Sequence, residues 1–225
     1  MKILAAALLL CTSAIAAPAQ TIVPADGSRI SGFPFKDTSM LKPPPGAKVA
    51  IIEFEDMECP KCAADAPIVR GAVVQYKLPY LRHDFPLTEI HIWSFDAAVT
   101  ARYLQDKVSP VLAEVYRRDV FANQRVIASK DDLTGFTRRW FAAHGQSMPF
   151  VMDADGACKA RVQADRALGD RLGEHGTPCL FVVTRKSWVL VDDASLLYRT
   201  IDQALAQTSG PATGPGLKPK RTINN

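Results

Sequence analysis

The sequence predicts an α/β fold in which an all-helical stretch interrupts a unit of strand, C-x-x-C, helix and strand, and three observations predict it. Val49 to Phe54 (V-A-I-I-E-F) is an apolar, β-branched run of buried-strand length. It leads straight into Cys59-Pro60-Lys61-Cys62 and a helical pattern from Cys62 to Lys77, with Ile68, Ala72 and Gln75 or Tyr76 at helical spacing. A second strand pattern, Tyr80 to Leu87, is followed by roughly seventy residues that carry only helical patterns.

The elements follow in order. Residues 1–19 have a basic start at Lys2 and an almost unbroken apolar run from Ile3 to Ala16, then small residues, which predicts a secretory signal peptide cut after Ala16 or, preferably, Ala19. The run is too short to cross a bilayer of about 30 Å as a helix. Cys11 is no lipid anchor on this pattern, because bulky Leu10 precedes it. Residues 20–48, rich in Pro, Gly and Ser, form an extended lead-in with at most short strands. Residues 49–87 and 160–208 make the α/β domain and residues 88–159 the helical insertion. In the insertion, Ile90 to Gln105, Ser109 to Ala122, Ser129 to His144 and a stretch near Asp153 all read as helices, the third with S-K-D-D as its capping start. Arg161 to Gly173 is a further amphipathic helix, and Leu180 to Val183 with Trp188 to Val191 is a hairpin candidate. A helix from Ala194 to Ala206 closes the domain, with Leu196, Leu197, Ile201 and Leu205 on one face. Residues 209–225 are a Gly, Pro and Lys tail expected to be disordered.

Composition narrows the function. A chain of 225 residues, 48% hydrophobic and 22% charged, is that of a soluble globular protein of one or two domains. With Lys2 in the leader and Lys218, Lys220 and Arg221 in the tail, the body is near neutral, and nothing points to a nucleic-acid partner. Export into a disulfide-permitting compartment leaves Cys59, Cys62, Cys158 and Cys179 in the mature chain.

Cys59 to Cys62 can be a redox centre, half of a zinc site or a staple. Zinc wants about four ligands in close pairs, which Cys158 and Cys179 do not supply, so no metal is expected. A cysteine just before a helix has its thiolate stabilised by unpaired amides and the positive dipole end, which makes an oxidising couple. Lys61 favours that thiolate further, while Glu55, Asp56 and Glu58 oppose it, and the sequence leaves the net sign open. Glu53, six residues before Cys59 in an otherwise apolar strand, is a candidate buried acid that could shuttle the proton of Cys62. Pro67 should kink the helix, and Thr177-Pro178 enters a strand where a cis peptide would set backbone beside the cysteines. A helix starting at Cys158 carries the chain roughly 21 Å by Leu172. A disulfide needs Cα atoms within about 7 Å, so Cys158 and Cys179 are expected to be unjoined.

These residues, with the phrases E-F-E-D-M-E-C-P-K-C, W-S-F-D-A-A and A-C-K-A-R-V-Q-A-D-R-A-L-G-D-R-L-G-E-H-G-T-P, resemble the DsbA-like branch of the thioredoxin superfamily over Val49 to Ala206. The resemblance implies a thioredoxin-like fold interrupted by a helical domain. It implies Cys59 as the exposed attacking or attacked sulfur, Cys62 as the resolving one, Glu53 as the buried acid, Pro67 as the helix kink and Pro178 as the cis-proline with Thr177 at the substrate contact. The activity implied is a periplasmic thiol:disulfide oxidoreductase that introduces disulfides into unfolded or partly folded exported proteins. A membrane quinone-linked partner would reoxidise it, and no cofactor is needed because the cysteines carry the electrons. The alternatives are a reductase or isomerase kept reduced by a donor, or a non-catalytic binding protein of the same fold. Pro60-Lys61, in place of the Pro-His of the best known oxidases, and Thr177 before the proline are departures that bear on the direction of electron flow, and Cys179 just after Pro178 is a third.

Overall fold

The computed structural model describes residues 22–24 and 35–209; the expected signal peptide and all but the first residue of the expected tail lie outside them. Five strands form one sheet in the order β1-β5-β4-β2-β3: β1 (Ile22–Pro24), β2 (Val49–Glu55), β3 (Tyr80–Asp84), β4 (Cys179–Thr184) and β5 (Ser187–Leu190). β2 pairs parallel with β3 and antiparallel with β4, and β4 and β5 form the expected hairpin. The helices are α1 (Pro60–Tyr76), α2 (Ser94–Tyr103), α3 (Pro110–Asn123), α4 (Lys130–Ala143), α5 (Ala157–Leu172) and α6 (Leu197–Thr208).

Strand alternation assigns the two faces of the sheet. Ala50, Ile52 and Phe54 of β2 join Phe85, Leu172, Phe181, Val183 and Trp188 on the α5 side. Val49 and Ile51 join Val69 and Ala72 of α1 and Leu197, Ile201 and Ala204 of α6 on the other. Glu53 and Glu55 share the parity of Val49 and Ile51, so both carboxylates belong to the α1 face. The residues of the lead-in nearest β2 do more than extend: Leu41 is buried, and the Phe35 ring meets Phe181 and Trp188 edge-on at 5.4 and 5.7 Å.

The helical layer has its own core of Trp93, Ala97, Leu104, Tyr116, Val120 and Phe141, and this core also takes in Met57, Cys59 and Cys62. The cysteine pair therefore sits at the seam between sheet and helices. Buried ion pairs stitch the same seam: Arg117 Nη1 of α3 lies 2.9 Å from Glu55 Oε1 and 2.7 Å from Asp84 Oδ1, while Arg102 of α2 reaches Asp84 and Asp165.

Two helices differ from expectation. α2 begins at Ser94, not Ile90, because the chain first turns on Leu87, whose carbonyl accepts from the N–H groups of Ile90 and His91 at 2.9 and 2.8 Å. The stretch near Asp153 is a turn, not a helix: the Asp153 carboxylate accepts from the Cys158 and Lys159 N–H groups at 3.0 and 2.8 Å, and so starts α5 at Ala157, ahead of the expected Arg161. Ser129 caps α4 as expected, its hydroxyl accepting from Asp132 N–H at 3.1 Å.

Candidate active site

Cys59 is the N-cap of α1, with Pro60 at the first helical position, where a missing N–H costs nothing. Its extended backbone (φ −73°, ψ 121°) turns the sulfur back over the helix start, where Sγ accepts from Cys62 N–H at 3.4 Å. The Lys61 and Cys62 amides and the positive dipole end thus lie at one sulfur. Across the seam, the Thr177-Pro178 peptide is cis, and the Thr177 carbonyl oxygen lies 3.2 Å from Cys59 Sγ. The Thr177 hydroxyl is buried with no hydrogen-bond partner among the described residues.

One expectation needs correction. Cys59 is not an exposed sulfur: it keeps 5% of its surface, against 1% for Cys62. It packs against the helical layer and beside the Thr177 carbonyl. Its thiol is brought down to about 6, chiefly by the hydrogen bond from Cys62 and further by the N–H groups of Cys62 and Lys61, against burial. The Cys62 thiol moves the other way, raised by burial and by its neighbour Cys59. The two sulfurs are therefore chemically distinct, one poised as thiolate and one held as thiol.

Glu53 lies in the middle of the sheet, with Arg82 and Leu180 as its cross-strand neighbours, and is 1% exposed. Burial, and then the Glu55 charge, push its carboxyl up to about 8. Tyr80, a residue the sequence reading did not single out, donates its hydroxyl to Glu53 Oε2, and the Arg82 Nε lies 3.2 Å from that same hydroxyl oxygen. The parallel register explains the contact: Tyr80 is opposite Ile51, so it shares a face with Glu53 one pleat on. Pro67 sits inside α1, where it leaves the Ala63 carbonyl without its helical donor.

The remaining charges near the pair have structural partners. Lys61 is half exposed and ion-paired with Asp65 one turn on. Glu55 is held by Arg82 and Arg117. Asp56 organises the loop, accepting from Glu58 and Leu87 N–H groups at 2.7 Å each and facing His91 Nδ1 at 2.8 Å. Glu58 closes the start of α2, accepting from Trp93 and Ser94 N–H groups at 2.7 and 3.0 Å. Beside Cys59 a groove of about 680 Å³ opens between Pro60, Ala63 and Ala64 of α1 and His91, Trp93 and Phe121 of the helical layer. Cys158 and Cys179 are free thiols in separate apolar clusters, as expected. Among the described residues no group of three or more His, Cys, Asp or Glu is placed to hold a metal ion, and no helix is long and apolar enough to cross a membrane.

The thioredoxin family profile matches residues 37–196, which spans both halves of the sheet and all the helices between them. The chain belongs to the thioredoxin family. Within that family its fold is the DsbA-like one. Wolbachia pipientis alpha-DsbA1 superposes with a TM-score of 0.58 at 16% identity, over 74% of this chain and 90% of that one. A thioredoxin-like oxidoreductase from Silicibacter pomeroyi DSS-3 gives 0.55 at 23% identity, over 72% and 89%. A curated relative, the Na(+)/H(+) antiporter NhaA 1 of Salinispora arenicola, is 26% identical over 151 residues, 67% of this chain. The chain spans only 22% of that relative's length.

Proposed function

We propose that this thioredoxin-family protein is a thiol:disulfide oxidoreductase that oxidises thiols of unfolded or partly folded exported proteins. The observation that carries the reading is the Cys59 sulfur at the α1 N-terminus, with a thiol brought down to about 6, because a stabilised thiolate favours the reduced enzyme and hence makes its disulfide an oxidant. A substrate thiolate attacks Cys59 Sγ of the oxidised pair, the Cys59–Cys62 bond breaks, and the electron pair leaves on Cys62. Buried Cys62 takes up a proton, which Glu53 supplies from the α1 face of the sheet. A second substrate thiolate then attacks the substrate sulfur of the mixed disulfide, and Cys59 departs as a thiolate. The substrate leaves with one new disulfide and the enzyme holds two electrons as a dithiol.

Thr177 and Pro178 offer backbone contact to the substrate beside Cys59, and the groove takes its flanking side chains. Ile92 and Val126, whose chain neighbours line that groove, are more than half exposed, as apolar contacts for an unfolded chain would be. Reoxidation by a membrane quinone-linked partner and residence in the periplasm complete the proposal. The test is oxidation of a reduced, unfolded protein assayed beside insulin reduction. Oxidation faster than reduction, lost in Cys59→Ser, is expected; activity untouched by Cys59→Ser would overturn the proposal.

A further inference from the structure

The loop that carries the cysteine pair is gripped twice by the helical layer, and the two grips form a closed circuit. Glu58 reaches out of the loop to the Trp93 and Ser94 N–H groups at 2.7 and 3.0 Å. The Trp93 indole N–H donates to the Ile127 carbonyl at 3.0 Å. Ile127 ends a single 3₁₀ turn, Gln124–Val126, that its own N–H fastens to the carbonyls of Asn123 and Gln124. From that turn Gln124 returns to the loop, its Nε2 donating to the Met57 carbonyl at 2.7 Å and the Cys59 carbonyl at 3.0 Å. One amide group therefore holds the residue on each side of Glu58 while Glu58 is held from α2.

The Cys59 carbonyl already accepts the first helical bond of α1, from Ala63 N–H at 3.2 Å. Gln124 occupies its second lone pair, so the Cys59 peptide is fixed from two directions. That peptide's orientation is what turns Sγ toward Cys62 N–H. The amide hydrogens also offset the negative ends of two carbonyl dipoles within two residues of the sulfur.

We infer that Gln124 is a positioning residue, supplied by the helical layer, that holds Cys59 in the helix-capping geometry on which its thiolate depends. The inference rests on the exchange chemistry proposed above, and it gives the insertion a direct part in setting the reactivity of a sulfur 65 positions away.

Gln124→Met and Gln124→Glu keep the side chain's length and remove both donors. In the reduced protein, the ultraviolet thiolate titration of Cys59 should move up from about 6 in both variants. The equilibrium constant for oxidising glutathione should fall by about fivefold, the usual worth of one net hydrogen bond. A melting curve shows which variant keeps the fold, and the neutral Gln124→Met decides, with Gln124→Leu as its neutral substitute, since the carboxylate of Gln124→Glu raises the thiol by its charge alone. Wild-type titration and glutathione equilibrium in a folded variant would overturn the inference, and so would a lowered melting temperature with both unchanged, since that is a purely structural role. The thiolate titration needs no protein substrate, so a wild-type chain that oxidises nothing would sink the proposed function while leaving this test intact.

Discussion

The Sγ of Cys59 lies 3.2 Å from the main-chain oxygen of Thr177, 118 positions further along the chain. The contact closes the seam between α1 and β4, while from the α1 side the Cys62 N–H donates to the same sulfur at 3.4 Å and stabilises its thiolate. Reactivity of Cys59 should therefore follow a titration near 6 instead of the ordinary thiol range. Alkylation rates of the reduced protein measured against pH would show a midpoint near that value for Cys59, with Cys62 unreactive across the same range.

The lowered thiol also couples redox state to stability. A thiol whose titration is depressed by folding adds stability that is present above the unfolded value and lost as pH falls through the folded one. The reduced protein should gain stability over the oxidised protein as pH rises from about 6 toward the unfolded thiol range. Urea denaturation of both forms at several pH values checks this; a difference that is flat with pH contradicts it.

Glu53 carries the opposite sign. Its carboxyl is raised to about 8 by burial, so its contribution is fully present below the ordinary carboxylate range and is lost as pH rises through 8. Glu53→Gln should relieve a cost on the order of a few kcal/mol at alkaline pH and change little at pH 4. The same variant should slow the release of Cys62, visible as slower formation of the mixed disulfide at neutral pH. Tyr80→Phe removes the donor that lowers Glu53 and should shift that pH dependence upward.

Arg117 is 2% exposed and bonds two carboxylates, Glu55 and Asp84, from the other side of the seam. Arg117→Met would leave those charges buried beside fewer partners and should cost about 3–5 kcal/mol in denaturant unfolding. Asp84, whose carboxyl is held low by Arg117 and Arg102 against burial, should titrate higher in that variant.

α5 approaches the sheet through Gly169. A Cβ there would lie 2.5 Å from the buried Phe85 ring and 3.2 Å from Phe54. Gly169→Ala should destabilise by about 1–3 kcal/mol despite alanine's higher helix propensity, as thermal unfolding would show.

Local patterns carried much of this into the sequence. The apolar run of β2, its lead into Cys59, the β4–β5 hairpin and the Ser129 cap are all settled by residues near one another, and each is legible. The stretch near Asp153 misled because an aspartate five residues ahead of Cys158 caps a helix from outside it, a geometry that periodicity does not encode. The polar pairings of Arg117 and Gln124 with the sheet and the cysteine loop left no signal. Glu55 and Arg117 are 62 positions apart, and Gln124 stands 67 from Met57, so their partners exist only once α3 packs on the sheet. For that reason the acids around Cys59 looked like competitors for its charge, whereas Glu55, Asp56 and Glu58 are each committed to arginine, loop or helix.

The central claim is that Cys59 and Cys62 form an oxidising couple, and its most direct test is the reduction potential of the pair, read from equilibrium with graded glutathione. A value more oxidising than about −200 mV is expected, with the reduced form favoured. A value below about −300 mV, where structural disulfides lie, would contradict it.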